Sequence, residues 1–510
     1  MQGNKLQVSV IVSYLSAVIS TAVSLIYTPF MLRMLGQSEY GIYQLVCSVA
    51  SYLSLLSFGF GSSYIRFFSR YNGADRDEKI SSLNGMFMLV FGCLSFLCLI
   101  VGFCLINNLD VLFKNLSAYE IRTSKILLFF LVINVAMTFI NSVYDSYIVA
   151  HEKFIFQKLL YMLKTVLNPI LTIPFLILGF KSVTLTVVTT LLTFVNLIIN
   201  HCYCRRRLGM KITWGGINYG LLREIAIFSS FIFLNIITDQ INWNLDKFLL
   251  GIYRNSIEIA VYGVSAQLNA YYMSCSSIIS SVFIPRVNRI VASNDNIDSL
   301  NELFIKIGRI QFMVLAFICS GFIFFGETFI KIWAGDGYEQ SFLPAVFLMM
   351  SATVPLIQNI GIEIQKAKNV HKFRSIIYTL IAVANLILSI ILTPKYGVMG
   401  CTLGTCSALI LGNGLIMNIY YSRKIHLNIK LFWKNILSLL LAMLIPFTFG
   451  AVYELLIPHN SLLIYMVCIV VYSVIYCASV YIFGMIDSEK QMVKAPIQKI
   501  LKKARGDYSL

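Results

Sequence analysis

Residues 235–251 read NIITDQINWNLDKFLLG, and the character of this stretch decides the class of fold. Asn235, Asp239, Asn242 and Asp246 recur at i, i+4, i+7 and i+11, a spacing that stacks side chains on one face of an α-helix. Ile236, Ile237, Ile241, Leu245, Leu249 and Leu250 fill the other faces, so a polar stripe runs along an otherwise apolar helix. A carboxylate at mid-bilayer costs roughly 2.5 to 3.5 kcal/mol on insertion scales, so a stripe of this kind needs a wet cavity or polar partners.

The surroundings make the membrane reading general. Of 510 residues, 58% are hydrophobic and 12% charged, and the mean hydropathy of +0.78 lies far from that of a soluble domain. A window of about 19 residues places spans near 8–33, 41–65, 83–107, 125–149, 155–180, 182–204, 225–251, 257–284, 307–330, 342–365, 374–393, 397–421, 434–457 and 461–484. The expectation is an all-α polytopic membrane protein of about 14 transmembrane helices. The first apolar run is too long for the core of a cleavable signal peptide.

A net charge of +17 would suggest a nucleic-acid partner in a soluble chain, but here topology accounts for it. Threading the spans alternately leaves 30 Lys and Arg on the side of the termini, 8 on the other side and 2, Lys164 and Lys247, inside spans. The positive-inside rule then puts both termini in the cytoplasm, and no nucleic acid is expected as a partner. Twelve cysteines lie mostly in apolar runs without a second matching cluster, and His201 with Cys202 and Cys204 falls short of a four-ligand metal site.

The chain also repeats. LIINHCYCR at 197–205 returns as LIMNIYYSR at 415–423, and Asn141 and Asp145 return as Asn359 and Glu363, all at an offset of 218. Asn168 and Asn385 differ by 217, and aligning Gly36 with Gly251 sets Ser24 opposite Asp239. Six helices followed by six in the same orientation imply two parallel-related lobes. The expected division is 1–205 for the first lobe, 206–222 for a basic cytoplasmic linker, 223–425 for the second lobe, 426–486 for two additional helices and 487–510 for a basic cytoplasmic tail.

Within this frame, Asp239 is the deepest acidic candidate for a substrate or ion cavity, flanked on its stripe by Asn235 and Asn242. Asp246 and Lys247 lie nearer the outer end, where a lysine reaches the interface. Lys164 stands two to three turns inside the fifth helix, ahead of Asn168, Pro169 and Pro174, where a kink would open a cavity. Asp145 and Glu363 occupy matched positions near the cytoplasmic ends of the fourth and tenth helices. Arg66 and Arg286 close the second and eighth helices, with Arg70 and Arg289 beside them, where a guanidinium suits phosphate. Arg33, after Pro29, breaks the charge rule at the opposite face and is a candidate for the outer mouth. No GxxxxGK[ST], HExxH or GxSxG pattern occurs, so neither an enzyme nor a nucleotide-driven pump is expected. No cofactor is expected, and the energy would come from an ion gradient, the membrane potential, a substrate gradient or a separate partner, with H+ and Na+ as candidate coupling ions.

LGQSEYGIY at 35–43, LDKFLLG at 245–251 and VYG at 261–263 carry a resemblance that covers essentially the whole chain. The sequence resembles the polysaccharide transport family, the O-antigen and teichuronic-acid type flippases of the multidrug/oligosaccharidyl-lipid/polysaccharide exporter superfamily. The resemblance implies two six-helix lobes in a V shape, two further helices, and export of a polyprenyl-pyrophosphate-linked oligosaccharide across a bacterial inner membrane by alternating access. It also implies lipid-linked oligosaccharide and membrane lipids as partners, with polysaccharide polymerase and export machinery nearby. The pyrophosphate would need cations from Arg33, Arg66, Lys164, Lys247 or Arg286, and the sugars would suit Asn235, Asn242, Trp243 and Gln267. The alternative is a cation-coupled exporter of drugs or metabolites on the same architecture, with Asp239 as its coupling site.

Overall fold

The computed structural model describes residues 2–71, 76–214, 219–293, 296–368, 370, 372–456, 461–492 and 494. Residues 215–218 of the expected linker and 495–510 of the expected tail lie outside the described residues. No strand occurs among the described residues, and the long helices are α1 (Gln2–Leu53), α2 (Phe60–Arg70), α3 (Arg76–Asn107), α4 (Ala118–Ala150), α5 (Phe154–Ile177), α6 (Lys181–Arg206) and α7 (Tyr219–Tyr253). They continue as α8 (Ser256–Ser293), α9 (Ile297–Ala334), α10 (Phe342–Ile357), α11 (Asn359–Ala367), α12 (Lys372–Leu409), α13 (Ile429–Leu456) and α14 (Leu462–Ser479). The chain is a multi-pass membrane protein.

Eleven helical stretches among the described residues are long and apolar enough to cross a bilayer. Two of them are double. Val12–Arg70 runs 59 residues and Phe373–Ile425 runs 53, against the roughly 20 that one crossing needs. The two crossings part at a glycine with a positive φ, Gly36 at 74° in the first stretch and Gly397 at 55° in the second, a backbone region that residues bearing a Cβ rarely adopt. The second crossing ends in α2 after a turn through Phe58 and Gly59. The α8 helix, rich in Ser, Asn and Gln, adds a 38-residue helix whose polarity keeps it out of the eleven. Counting the doubled stretches separately and including α8 gives the fourteen helices that hydropathy predicts.

Local chemistry explains the ends. Ser117 caps α4 in a capping box with Glu120, each side chain meeting the other's backbone N–H. α10 carries Pro355 in its last turn, where the missing N–H cannot bond the carbonyl of Ser351, and the helix ends at Ile357, with Gln358 non-helical before α11 begins. That break has a consequence for the repeat. In the first half Asn200 donates to Asn141 at 3.0 Å; in the second half its counterpart Asn418 is met at 2.7 Å by Gln358, one residue before the expected Asn359.

By contacts the chain forms two compact units, Met1–Tyr271 with Lys331–Leu348 and Lys372–Gly412, and Tyr272–Ile330 with Met349–His371 and Asn413–Leu510. This partition differs from the repeat-based lobes, which belong to the mechanism proposed below. In the first unit α4 packs against α3 and α6, α1 against α5, and α7 along α12, around a core that includes Tyr64, Phe87, Phe91, Leu127 and Val143. In the second unit the core is aromatic, with Phe325, Tyr453, Tyr465, Tyr472 and Tyr476 on α9, α13 and α14. Beneath it, buried Arg309 makes a two-pronged ion pair with Glu489 at 2.7 and 2.9 Å and also donates to the carbonyl of Gly484. All the donors of that guanidinium's fork face acceptors, the condition under which a buried charge is tolerated.

Candidate substrate and ion sites

A cavity of about 600 Å³ lies among α1, α4, α5 and α6 in the first unit. Its wall is polar for a membrane interior: Ser20, Ser24 and Tyr27 on α1, Asn141 and Asp145 on α4, Tyr161, Lys164 and Asn168 on α5, and Thr193 and Asn196 on α6. Asp145 is held by two amides, accepting from Asn141 at 2.7 Å and from Asn200 at 2.8 Å. Lys164 donates to Thr193 Oγ1 at 2.9 Å, the same oxygen that receives Asn134 at 2.8 Å. Asn168 donates to Thr189 at 3.1 Å. Pro169 sits in the wall, and because it lacks an N–H it frees the carbonyl of Thr165, another lining residue. The cavity therefore carries one acidic group, Asp145, two half-buried lysines, Lys158 and Lys164, and a rim of amides, hydroxyls and two phenols. That is chemistry for a polyhydroxylated ligand, within the size range of ordinary ligand sites. Asp145 and Lys164, which the sequence offers on separate helices, are brought together here.

The second charged site is at Asp246 and differs in kind. Its side chain is only 3% exposed. Tyr262 donates to Oδ2 in a short bond, Thr405 donates to the same oxygen at 2.8 Å, and Ser389 lies 3.3 Å from Oδ1. Ser389 and Thr405 are also 3.1 and 3.2 Å from Asn385 Oδ1. Each hydroxyl has one proton to give, so Ser389 and Thr405 each divide theirs between Asp246 and Asn385. Lys247 turns elsewhere, donating to Gln44 Oε1 on α1 at 2.9 Å. The interfacial placement expected of Asp246 is thus replaced by burial, and Lys247 is half-buried against α1. Hydropathy assigns depth along a helix and cannot tell which neighbours fill the space beside it.

The remaining candidates are scattered. Asp239 is exposed, with Tyr378 as its hydrogen-bonding neighbour and Arg374 as its charged one, both on α12. Arg374 lies 5.5 Å from the Tyr378 ring. Asn242 is buried on the same stripe, while Asn235 is exposed one turn before Asp239. Arg66 stacks over Phe228 at 4.2 Å. Arg33 donates to the carbonyl of Ile332. Glu363 pairs with Lys366 one turn on at 2.8 Å. Arg286 lines a separate cavity of about 610 Å³ between α8 and α9. Neither Asp239 nor Arg286 lines the cavity of Asp145 and Lys164. Sequence reasoning missed Tyr262, Ser389 and Thr405, hydroxyls that leave almost no trace in hydropathy; the pairing of Asn385 with Ser389 one turn apart is the signal that was there to find.

The LGQSEYGIY stretch proves to be a knot. Ser38 donates to Glu120 at 2.7 Å, and Ser256 at the start of α8 donates to the same carboxylate. Buried Glu39 accepts from Tyr119 at 2.6 Å and from Ser182, with Lys181 at 3.7 Å. Tyr40 is fully buried, accepts from Gln44 at 2.6 Å and meets the Tyr338 ring edge-on at 6.4 Å. A Cβ on Gly41 would fall 1.8 Å from the carbonyl oxygen of Ser256, so only glycine lets α8 approach this closely.

Helices long and apolar enough to cross a membrane, with a polar, charged cavity among four of them, are the build of a membrane transporter. Residues 30–343 match the family described as "Polysaccharide biosynthesis protein", and the chain belongs to that family. A Shigella flexneri protein named "Putative O-antigen transporter" is 22% identical over 412 residues, which are 79% of this chain and 95% of that protein. The solved structure of "Lipid II flippase MurJ, inward closed conformation" aligns with a TM-score of 0.71 at 15% identity, over 93% of this chain and 98% of that one. An inward-facing multidrug resistance MATE transporter aligns with a TM-score of 0.58 at 16% identity, over 81% and 96% of the two chains. These structural likenesses establish the fold.

Proposed function

We propose that the protein is a flippase that moves a polyprenyl-pyrophosphate-linked oligosaccharide across the bacterial inner membrane for surface polysaccharide synthesis. The observation that supports this reading most is the Asp145 and Lys164 cavity, whose amides, hydroxyls and phenols suit sugar hydroxyls, in a chain of this family. Both termini face the cytoplasm in this reading, as the charge count favours. Polysaccharide polymerase and export machinery are the partners that would receive the product.

Movement is by alternating access, with residues 1–205 rocking against 223–425. Contacts within the first compact unit then become a gate that must open: Arg33 to the Ile332 carbonyl, Gln37 to the Gly337 carbonyl, Asn115 to the Ile252 carbonyl, and the Ser38, Glu120 and Ser256 knot. Coupling to H+ or Na+ falls to Asp246 in place of Asp239, because its carboxylate is enclosed with the Asn385 amide oxygen and three hydroxyls, an all-oxygen set that suits a small cation. The same coupling would serve an exporter of drugs or metabolites, the second reading, which the MATE-like fold supports.

Mass spectrometry of lipid extracts from the native host with and without the gene separates the two readings. The flippase reading expects the lipid-linked repeat unit to accumulate when the protein is absent, with surface polysaccharide lost. Normal polysaccharide and no accumulation would leave the exporter reading.

A further inference from the structure

The cavity of about 610 Å³ between α8 and α9 is built differently from the sugar-type cavity of the first unit. Arg286 and Arg289 come from the last two turns of α8, and Lys306 from the third turn of α9. Glu302 is the one carboxylate in its wall, and Val282 and Leu303 give it an apolar floor. Among the described residues, no ion pair or side-chain hydrogen bond occupies any of the three cations. Arg309, one turn beyond Lys306, is unavailable, since Glu489 and the Gly484 carbonyl take its fork. The wall therefore presents two more positive than negative charges, at the helix ends where the apolar run of α8 stops at Pro285 and that of α9 has yet to begin. This is the depth of lipid headgroups.

We propose that this crevice binds the phosphate of an anionic lipid headgroup, with the two guanidinium forks and the Lys306 ammonium on the phosphate oxygens and the first acyl carbons on Val282 and Leu303. Arginine matches phosphate geometry with two parallel hydrogen bonds, and basic crevices between membrane helices at headgroup level attract anionic lipids. The net positive wall repels free cations, and a free carboxylate would not explain the apolar floor. The phosphate could belong to a bulk glycerophospholipid or to a polyprenyl carrier, and the site recognises the group the two share. The inference stands independently of what is transported.

The test is native mass spectrometry of the purified full chain titrated with phosphatidylglycerol, phosphatidylcholine or sugar-free polyprenyl pyrophosphate. Phosphatidylglycerol should bind more tightly than phosphatidylcholine, and Arg286→Gln with Arg289→Gln should weaken it by about fivefold per cation removed, about 25-fold for the pair. Arg286→Lys with Arg289→Lys keeps the charge and should retain most of the binding, which separates loss of the site from loss of the fold. Charge-dependent binding of the pyrophosphate alone would support the site and assign it to the carrier. Equal binding of charged and zwitterionic lipids, or binding unchanged in the double Gln variant, would overturn the proposal. Oligosaccharide translocation measured in parallel reports on the flippase reading and not on this one.

Discussion

The fifth and sixth helices of the first half and their repeat in α12 share a skeleton and use it oppositely. Asn168 on α5 meets Thr189 on α6 at 3.1 Å, and its counterpart Asn385 meets Thr405 at 3.2 Å across the Gly397 break. Where the first half has Lys164 beside an open cavity, the offset of 217 puts Ile381 in the second half. Ile381 is 5% exposed and packs onto Gly412, where an added Cβ would sit 1.8 Å from its Cδ1. The charge of the second half sits instead at Asp246, inside a closed set of hydroxyls, where the first half has Met31 at the aligned position. One half thus keeps its charge accessible and the other encloses it. An accessible pair suits a large changing ligand, whereas an enclosed carboxylate suits a small ion.

The largest expected break in this contrast is Asp246→Ala. It leaves Tyr262 without its acceptor in a buried site, at about 1 to 3 kcal/mol for a donor left unpaired, and leaves Thr405 and Ser389 with Asn385 alone. The thermal stability of the purified protein should fall by the equivalent of about 3 kcal/mol. Asp246→Asn retains an acceptor and should lose ion-dependent transport with a much smaller fall in stability; ion dependence unchanged in that variant would remove Asp246 from coupling. Next in size is Gly412→Ala, which overpacks Ile381 at a cost of about 1 to 3 kcal/mol. Adding Ile381→Ala should recover part of that loss, a non-additivity that unfolding measurements on the double-mutant cycle would detect. The smallest effect should come from Asp239→Asn. An exposed charge beside Arg374 contributes about 0.2 to 1 kcal/mol, so stability and ion dependence should both stay near the parent values. A large loss of ion-dependent transport would return the coupling role to Asp239.

Much of this architecture was legible in the sequence. Span length and hydropathy gave fourteen helices, and the repeat gave the matched pairs, because both depend on patterns along one chain segment. The misplacements share a cause. The stripe of Asn235, Asp239, Asn242 and Asp246 states which residues share a face, but α7 is long enough that its two ends meet different neighbours: Arg374 and Tyr378 beside Asp239, Tyr262, Ser389 and Thr405 around Asp246. Ranking by depth favoured the wrong carboxylate for enclosure. Lys164 was legible as a buried cation, while its proximity to Asp145 depends on how α4, α5 and α6 pack and is invisible to periodicity. The LGQSEYGIY stretch was legible only as a family mark. Its physical content, the Gly41 approach to Ser256 and the shared Glu120, requires residues 80 to more than 200 positions away.

The most direct measurement is translocation of a lipid-linked oligosaccharide by the purified chain in proteoliposomes, with Lys164→Gln and a reversible disulfide between Ser38→Cys and Ser256→Cys as comparisons. The hydroxyls of Ser38 and Ser256 are 3.3 Å apart, so the disulfide joins residues already in contact. The flippase account expects transfer by the parent protein, a loss of about tenfold in Lys164→Gln from a missing charged hydrogen bond, and arrest by the disulfide that reduction relieves. No transfer by the parent protein, or parental rates in Lys164→Gln and in the oxidised double-cysteine variant, would contradict it.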